Sequence, residues 1–83
     1  MSYEVAYEIR FLDLAAGFMK DDPAGVAALF DTVDQLSNDP HPDSSFRYGP
    51  TGVRRLHADR YRVMYRIDEE TKTVYIDHLA RLS

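Results

Sequence analysis

The sequence contains no cysteine among its 83 residues, which excludes a disulfide scaffold and a thiolate metal site. In a domain below about 100 residues this absence also favours an intracellular location. No apolar run approaches the roughly 20 residues that a membrane-spanning helix needs. The first residues lack the basic start and apolar stretch of a secretory signal. We therefore predict a protein of the cytoplasm with no membrane partner.

The length of the chain provides for one hydrophobic core, since a domain this small buries only about 60% of its unfolded surface. Hydrophobic residues make up 45% of the sequence and no segment is of low complexity, which is typical of a folded globular protein. We predict a single domain over residues 1–83. Its stability is expected to be marginal, so a partner protein would help to hold it folded.

Charge is divided unevenly along the chain. Residues 1–45 carry two basic and nine acidic groups, a net charge of -7, whereas residues 46–83 carry eight basic and five acidic groups, a net charge of +3. Six arginines lie between Arg47 and Arg66, a density that suits phosphate recognition if the fold gathers them on one face. The alternative is a solvated sheet surface that binds nothing.

The first half of the chain predicts a strand and two helices. Apolar and polar residues alternate from Tyr3 to Arg10, the pattern of a strand with one buried face. From Phe11 to Met19 the apolar residues fall at helical spacing. Asp22 and Pro23 then suit the N-cap and first position of a second helix, antiparallel to the first. Its apolar stripe consists of Val26, Leu29, Phe30, Val33 and Leu36.

The second half predicts a long loop and three strands. Residues 37–50 hold three of the four prolines and several turn-forming residues, so regular structure cannot persist there. Strands are predicted at Val53–Ala58, Arg60–Ile67 and Lys72–Leu79. The whole chain therefore predicts an α+β fold, with the helical hairpin on one face of a four-stranded sheet made of the N-terminal strand and a three-stranded antiparallel meander.

Side-chain alternation predicts which residues lie on the uncovered face of this sheet. If the apolar residues of the middle strand face the helices, its arginines face away, namely Arg60, Arg62 and Arg66. In the last strand Val74, Ile76 and His78 are predicted to share the inner face. Five residues are then expected to converge on the open face: Arg55, His57, Arg62, Tyr75 and Arg81. Such a surface combines guanidinium groups for phosphates with rings on which RNA bases can stack.

Three segments follow one another in an order that carries a family resemblance. Residues 55–67 place a basic residue, Leu and a second basic residue before a tight turn and Tyr-Arg-Val-Met-Tyr. Residues 36–42 contain a leucine followed by an Asp-Pro step, and residues 74–81 form a strand that ends on an arginine. Over nearly the whole chain, this order resembles the RelE/ParE superfamily of toxins from type II toxin–antitoxin systems, with the RelE-like branch favoured.

The resemblance implies a toxin that cleaves mRNA on the ribosome, without metal or cofactor, and that a cognate antitoxin neutralises. Arg55, Arg62 and Arg81 match positions with which mRNA-cleaving members grip the scissile phosphate, and His57 matches a neighbouring basic position. Because arginine stays protonated, His57 is the expected proton-transfer residue. The residues further expected to bind RNA are Arg54, Arg60, Arg66 and Tyr75.

Departures from the family pattern leave other functions open. Arg55 stands where active relatives often have lysine, and the chain ends before the C-terminal helix that carries a catalytic tyrosine in several members. One alternative is a ParE-like toxin that poisons DNA gyrase. Another is a weakly toxic member that only binds its antitoxin. In every case an acidic antitoxin segment is expected to lie over the helices or the basic sheet.

Overall fold

The computed structural model describes residues 2–49 and 52–82. The elements in chain order are β1 (Glu4–Tyr7), α1 (Ile9–Met19), α2 (Pro23–Asp34), one turn of 3-10 helix (Gln35–Ser37), β2 (Ser45–Arg47), β3 (Val53–Ala58), β4 (Tyr61–Asp68) and β5 (Thr73–Arg81). The strands form one sheet in the order β1-β5-β4-β3-β2. The β1–β5 pair is parallel, and the other neighbours are antiparallel.

The core lies between the helical hairpin and one face of the sheet. Alternation along β4 buries every second residue, and the helical spacing of α2 turns its apolar stripe towards the strands. Burying one such large apolar side chain stabilises the fold by roughly 1.5–3 kcal/mol. The core residues are Phe11, Ala15, Val26, Leu29, Val33, Leu36, Leu56, Tyr61, Val63, Tyr65, Val74, Ile76 and Leu79. Within residues 2–49 and 52–82, neither helix covers the opposite face of the sheet.

The predicted α+β class, the helical hairpin and the antiparallel meander are confirmed, but the described residues form a sheet of five strands rather than four. The additional strand, β2, lies inside the predicted loop and pairs with residues 54–56 of β3. Its three residues are too few to produce a readable alternation, and an edge strand needs a partner on one side only. The Ser45 hydroxyl donates to the Pro42 carbonyl oxygen at 3.0 Å, which links the proline-rich turn to the start of β2.

The first strand is shorter than its alternation predicted. β1 ends at Tyr7, opposite Ile76, and α1 already begins at Ile9. Ile9 was expected on the buried face and is instead 76% exposed. The last backbone hydrogen bond to β5 runs from the Glu8 N–H to the Ile76 carbonyl oxygen at 3.0 Å, directly before the bulge of β5, and α1 begins at the next residue.

Asp21 and Asp22 tie the turn between the helices to the sheet. The predicted N-cap of α2 is confirmed, since the Asp22 carboxylate accepts from the Gly25 N–H at 3.2 Å. The same carboxylate accepts from the Tyr61 hydroxyl at 2.7 Å, while Asp21 accepts from the Arg81 guanidinium at 2.8 Å. The hydrogen bond from Tyr61 lowers the pKa of Asp22, and the one from Arg81 lowers the pKa of Asp21.

We expect these two carboxylates to make stability depend on pH in the acidic range. Because their pKa values in the folded protein are depressed, their contribution is complete above the ordinary value of 3.8 and is lost as pH falls through the lowered values. The variant Asp21→Asn/Asp22→Asn should therefore lose less stability than wild type between about pH 5 and about pH 2.5. Thermal denaturation followed by circular dichroism measures this difference.

The matched control for this experiment is Asp13→Asn/Asp31→Asn, which changes two exposed helical carboxylates outside the network. It should keep the pH profile of the wild-type protein. If both double variants flattened the profile equally, the assignment to Asp21 and Asp22 would be wrong.

Candidate functional site

The open face of the sheet gathers basic residues from β3 and β4. Arg55 lies opposite Met64, and His57 lies opposite Arg62. Residues directly opposite each other share a face, and Leu56, between the two basic residues of β3, is buried under the helices. Arg55, His57 and Arg62 therefore lie together on the uncovered side. The placement predicted for these three is confirmed, while their roles stay predictions.

A β-bulge in β5 changes which residues of that strand reach the open face. Across from β4, Tyr65 pairs with Ile76 and Met64 pairs with His78, so Asp77 has no partner of its own. One extra residue reverses the alternation for the rest of the strand. His78, predicted to point inward, is therefore exposed on the open face.

The prediction that Arg81 lies on the open face was wrong. After the bulge Arg81 pairs with Tyr61, a fully buried core residue, and so lies on the helix side. Its guanidinium donates to Asp21 and its central carbon lies 4.6 Å from the centre of the Phe18 ring. The expected cluster of three arginines is not formed, because the bulge separates Arg81 from the arginines of β3 and β4.

Arg54 and Arg60, which were expected to bind RNA, also lie off the open face. Arg54 is on the helix side of β3, where its guanidinium donates to the Ser45 hydroxyl at 2.9 Å. Arg60 was predicted to face away from the helices, but its guanidinium lies 3.6 Å from the Asp22 carboxylate at the start of α2. The reason is that Arg60 belongs to the turn that begins at Asp59, with φ of 58°, so the alternation of β4 does not include it.

Arg66 and Tyr75 are neighbours on the open face, as predicted. They lie opposite each other in the ladder, with the Arg66 guanidinium carbon 4.4 Å from the ring centre. The same guanidinium is 3.3 Å from the Asp77 carboxylate and 3.9 Å from that of Glu8. Half-exposed ion pairs of this kind contribute at most about 1 kcal/mol each. They still balance the charge of Arg66, so the net positive charge lies towards β3.

Arg55 is held by aromatic rings. Its guanidinium carbon lies 4.1 Å from the ring centre of Tyr48 and 5.6 Å from that of Phe46. Both rings are nearly half exposed. In the part of the chain that the structure describes, the buried Nε of Arg55 has no hydrogen-bond acceptor and no carboxylate forms an ion pair with it. Stacking worth about 0.5–2 kcal/mol therefore orients this cation without neutralising it.

A cleft of about 340 Å³ opens on this face. It is lined by Arg10, Tyr48, Val53, Arg55, Arg62, Met64, Asp77 and His78. The sequence did not single out Arg10 or His78 as site residues, because the alternation assigned Arg10 to the first strand and His78 to the inner face. The start of α1 at Ile9 overturned the first assignment and the bulge in β5 the second, and no local signal marks the bulge. With three guanidinium groups and an imidazole against one carboxylate, the cleft is suited to an anion such as a phosphate.

Two features that would indicate other kinds of site are not seen in residues 2–49 and 52–82. No three His, Asp or Glu side chains of those residues are grouped so that they could hold a metal ion. Neither helix there is long and apolar enough to cross a membrane.

Comparison with solved structures identifies the fold. A chain of the toxin–antitoxin complex RelBE2 from Mycobacterium tuberculosis matches with a TM-score of 0.83 and 24% identity, over 98% of this chain and 99% of that chain. A chain of the archaeal RelE–RelB complex from Pyrococcus horikoshii OT3 matches with a TM-score of 0.83 and 21% identity, over 100% of this chain and 98% of that chain. A chain from the chromosomal ParDE system of P. aeruginosa matches with a TM-score of 0.76 and 12% identity, over 99% of this chain and 98% of that chain.

Comparison at the level of sequence identifies the family. No match was found among curated protein sequences. The family model described as the ParE toxin of the type II toxin–antitoxin system, parDE, matches residues 21–81, which is most of the chain. That match includes α2 and all the strands from β2 to β5, and with them Arg55, Arg62 and His78. The chain therefore belongs to the family of ParE toxins of type II toxin–antitoxin systems, within the RelE/ParE superfamily.

Proposed function

We propose that the protein is the toxin of a toxin–antitoxin pair that acts in the cytoplasm by cleaving mRNA on the ribosome. The observation that carries this proposal is the pair of guanidinium groups, Arg55 and Arg62, that adjacent strands direct into one open cleft together with an imidazole. Guanidinium groups bind phosphate oxygens through two parallel hydrogen bonds, and an imidazole can exchange a proton near neutral pH. These are the groups that cleavage of a phosphodiester by its own ribose requires.

The proposed reaction is a transesterification at one phosphodiester. The ribose 2′ oxygen bonds to phosphorus while the bond to the 5′ oxygen breaks, which gives a 2′,3′-cyclic phosphate and a 5′-hydroxyl. A base takes the 2′ proton and an acid protonates the leaving 5′ oxygen. Arg55 and Arg62 would stabilise the charge that develops on the non-bridging oxygens, and His57, the histidine indicated by the sequence, is a first candidate for the proton transfer.

We propose that a cognate antitoxin holds the toxin inactive. Two of the similar solved structures are complexes of RelE-type toxins with their antitoxins. On this chain, α1 exposes Ile9, Leu12 and Met19 by 76%, 42% and 45%, on one side of the helix. An amphipathic helix could cover that side, and an acidic extended segment could cover the basic cleft. Both contacts together would neutralise the positive charge of the cleft and stabilise the small core of the toxin.

Inducible expression in bacteria tests the nuclease function. After induction, mapping of mRNA 5′ ends should reveal new cuts within translated regions, while plasmid supercoiling should stay normal. Because the substrate would be ribosome-bound mRNA, the cuts should depend on ongoing translation. New cuts in untranslated RNA at equal frequency would contradict a ribosome-dependent enzyme.

Poisoning of DNA gyrase is the second candidate function. The family model, which describes a ParE toxin, favours it, and so does the position of Arg81 on the helix side. In this case the same induction should produce a supercoiling defect while mRNA stays intact. If neither effect occurred, and the chain still bound an antitoxin, it would be a weakly toxic member whose function is binding alone.

A further inference from the structure

The bulge at Asp77 exchanges one basic residue of β5 for another on the open face. Without the extra residue, the alternation would carry Arg81 to the open side and His78 to the helix side. With it, His78 lines the cleft and Arg81 pairs with Asp21 sixty residues away. The cleft therefore receives an imidazole from β5, the strand from which the family resemblance implies a guanidinium.

The same bulge supports a third guanidinium. Asp77 has no partner residue in β4, and its backbone carbonyl accepts a hydrogen bond from the Nε of Arg10 at 3.3 Å. This bond holds Arg10, in the first turn of α1, against the cleft that Arg55 and Arg62 also line. Three guanidinium groups from α1, β3 and β4 thus surround one space.

The imidazole of His78 faces a largely cationic group of side chains. From the other elements these are Arg10, Tyr48, Arg55 and Arg62, and from its own strand it is Asp77. The Asp77 carboxylate is already 3.3 Å from the Arg66 guanidinium, which balances its charge. Excess positive charge in a cleft of this size fits the phosphate of a single-stranded nucleic acid.

His57 has a different environment. It lies on the same face opposite Arg62, but its ring packs against Phe46, with ring centres 6.3 Å apart and planes at 75°. It is exposed, and it is not among the residues that line the cleft. Both histidines lie near arginines of the open face, but His78 lines the cleft and His57 does not.

We infer that Arg10, Arg55 and Arg62 bind one RNA phosphate in this cleft and that His78, rather than His57, is its proton-transfer residue. This inference rests on the proposed RNA cleavage. The neutral imidazole of His78 accepts the 2′-hydroxyl proton as the 2′ oxygen bonds to phosphorus and the bond to the 5′ oxygen breaks. The leaving 5′ oxygen takes its proton from solvent, so the reaction needs no further reactant.

Substitution of each histidine in the full chain tests the proton transfer. Loss of a positioned acid or base lowers a rate by about 100-fold to 10,000-fold, so His78→Ala should reduce mRNA cleavage in a translation assay by that factor. The control is His41→Ala, an exposed histidine of the loop before β2, which should stay within about threefold of wild type. His57→Ala is the competing variant and should lower cleavage less than His78→Ala does. Loss of cleavage in His57→Ala with full cleavage in His78→Ala would overturn the inference and leave the proposed nuclease function standing.

A binding experiment separates the inference from the proposed function. The probe is a short 2′-deoxy oligonucleotide, which cannot be cleaved because it lacks the nucleophile, titrated against the full chain with NMR detection of the histidine rings. A phosphate in the cleft should shift the ring resonances of His78 and leave those of His41 unchanged, because His78 lines the cleft and His41 does not. If His78 did not respond while His57 did, the cleft would not be the phosphate site.

Substitution of Arg10 tests the third guanidinium group in the same titration. Arg10→Ala should weaken oligonucleotide binding by about tenfold, the effect of one charge-assisted contact, and Arg10→Lys should restore part of it. Arg47→Ala, on the edge strand outside the cleft, is the matched control. If binding responded in this way but the chain cut no mRNA, the result would support a phosphate site in the cleft and reject the proposed nuclease function. Equal weakening by Arg10→Ala and Arg47→Ala would reject the cleft.

Discussion

Replacing Arg62 by alanine is expected to lower mRNA cleavage at least about 100-fold and to abolish toxicity, because one preorganised charge at the reacting phosphate contributes that much. Arg62 is the second residue of β4, opposite His57 on one side and Ala80 on the other. It lines the cleft, and it forms no ion pair with a carboxylate of the described residues. Its removal therefore takes a cation from the site without breaking a contact that holds the fold.

Arg81→Ala is the informative comparison for this variant. It removes the same chemical group from the neighbouring strand, but from the helix side, where the guanidinium donates to Asp21. We expect a lower melting temperature with cleavage retained within a few-fold of wild type. Cleavage rates and circular dichroism melting curves of both variants provide the measurement. If Arg81→Ala abolished cleavage at unchanged stability, Arg81 would act on the substrate despite its position.

Replacing Tyr65 by alanine is expected to leave little folded protein at room temperature. Tyr65 is fully buried in the middle of β4, and its hydroxyl donates to the Pro40 carbonyl oxygen at 2.7 Å. Removing a buried aromatic ring costs about 3–5 kcal/mol. The whole free energy of unfolding of a native domain is only about 5–15 kcal/mol, and a chain this short lies near the lower end. Urea denaturation followed by circular dichroism measures the loss.

Two further tyrosine variants separate the contribution of the Tyr65 hydroxyl from that of its buried ring, and compare the buried ring with an exposed one. Tyr65→Phe keeps the ring and leaves the Pro40 carbonyl without its donor, so it should cost about 1–3 kcal/mol. Tyr75→Ala removes a tyrosine from the open face, where it stacks on Arg66, and should cost about 1 kcal/mol or less. Equal destabilisation by Tyr65→Ala and Tyr75→Ala would contradict a core on one side of the sheet only.

The buried tyrosine also connects the core to the site. Its bond to Pro40 anchors the segment that leads into β2, and β2 carries Phe46, one of the two rings that orient Arg55. Partial loss of this anchor should loosen the β2 edge before it loosens the meander. For this reason Tyr65→Phe is expected to weaken RNA binding more than its modest effect on stability suggests.

Local periodicity was enough to predict much of this protein. The apolar stripe of α2, its Asp22 cap and the three strands of the meander were all readable, because each depends on residues within a few positions of one another. The alternation of β3 and β4 likewise placed Arg55, His57 and Arg62 correctly on the open face. The order of the motifs alone indicates the toxin superfamily.

Only the tertiary structure decided which residues complete the cleft. The three-residue strand β2, the early end of β1 and the bulge at Asp77 all depend on how strands pair across the sheet, and no local pattern records that pairing. A single extra residue in β5 was enough to turn Arg81 towards Asp21 and His78 towards the arginines. Side-chain alternation holds only while the ladder is regular. The sequence therefore determined that the sheet has a basic face, and the three-dimensional fold determined which residues lie on it.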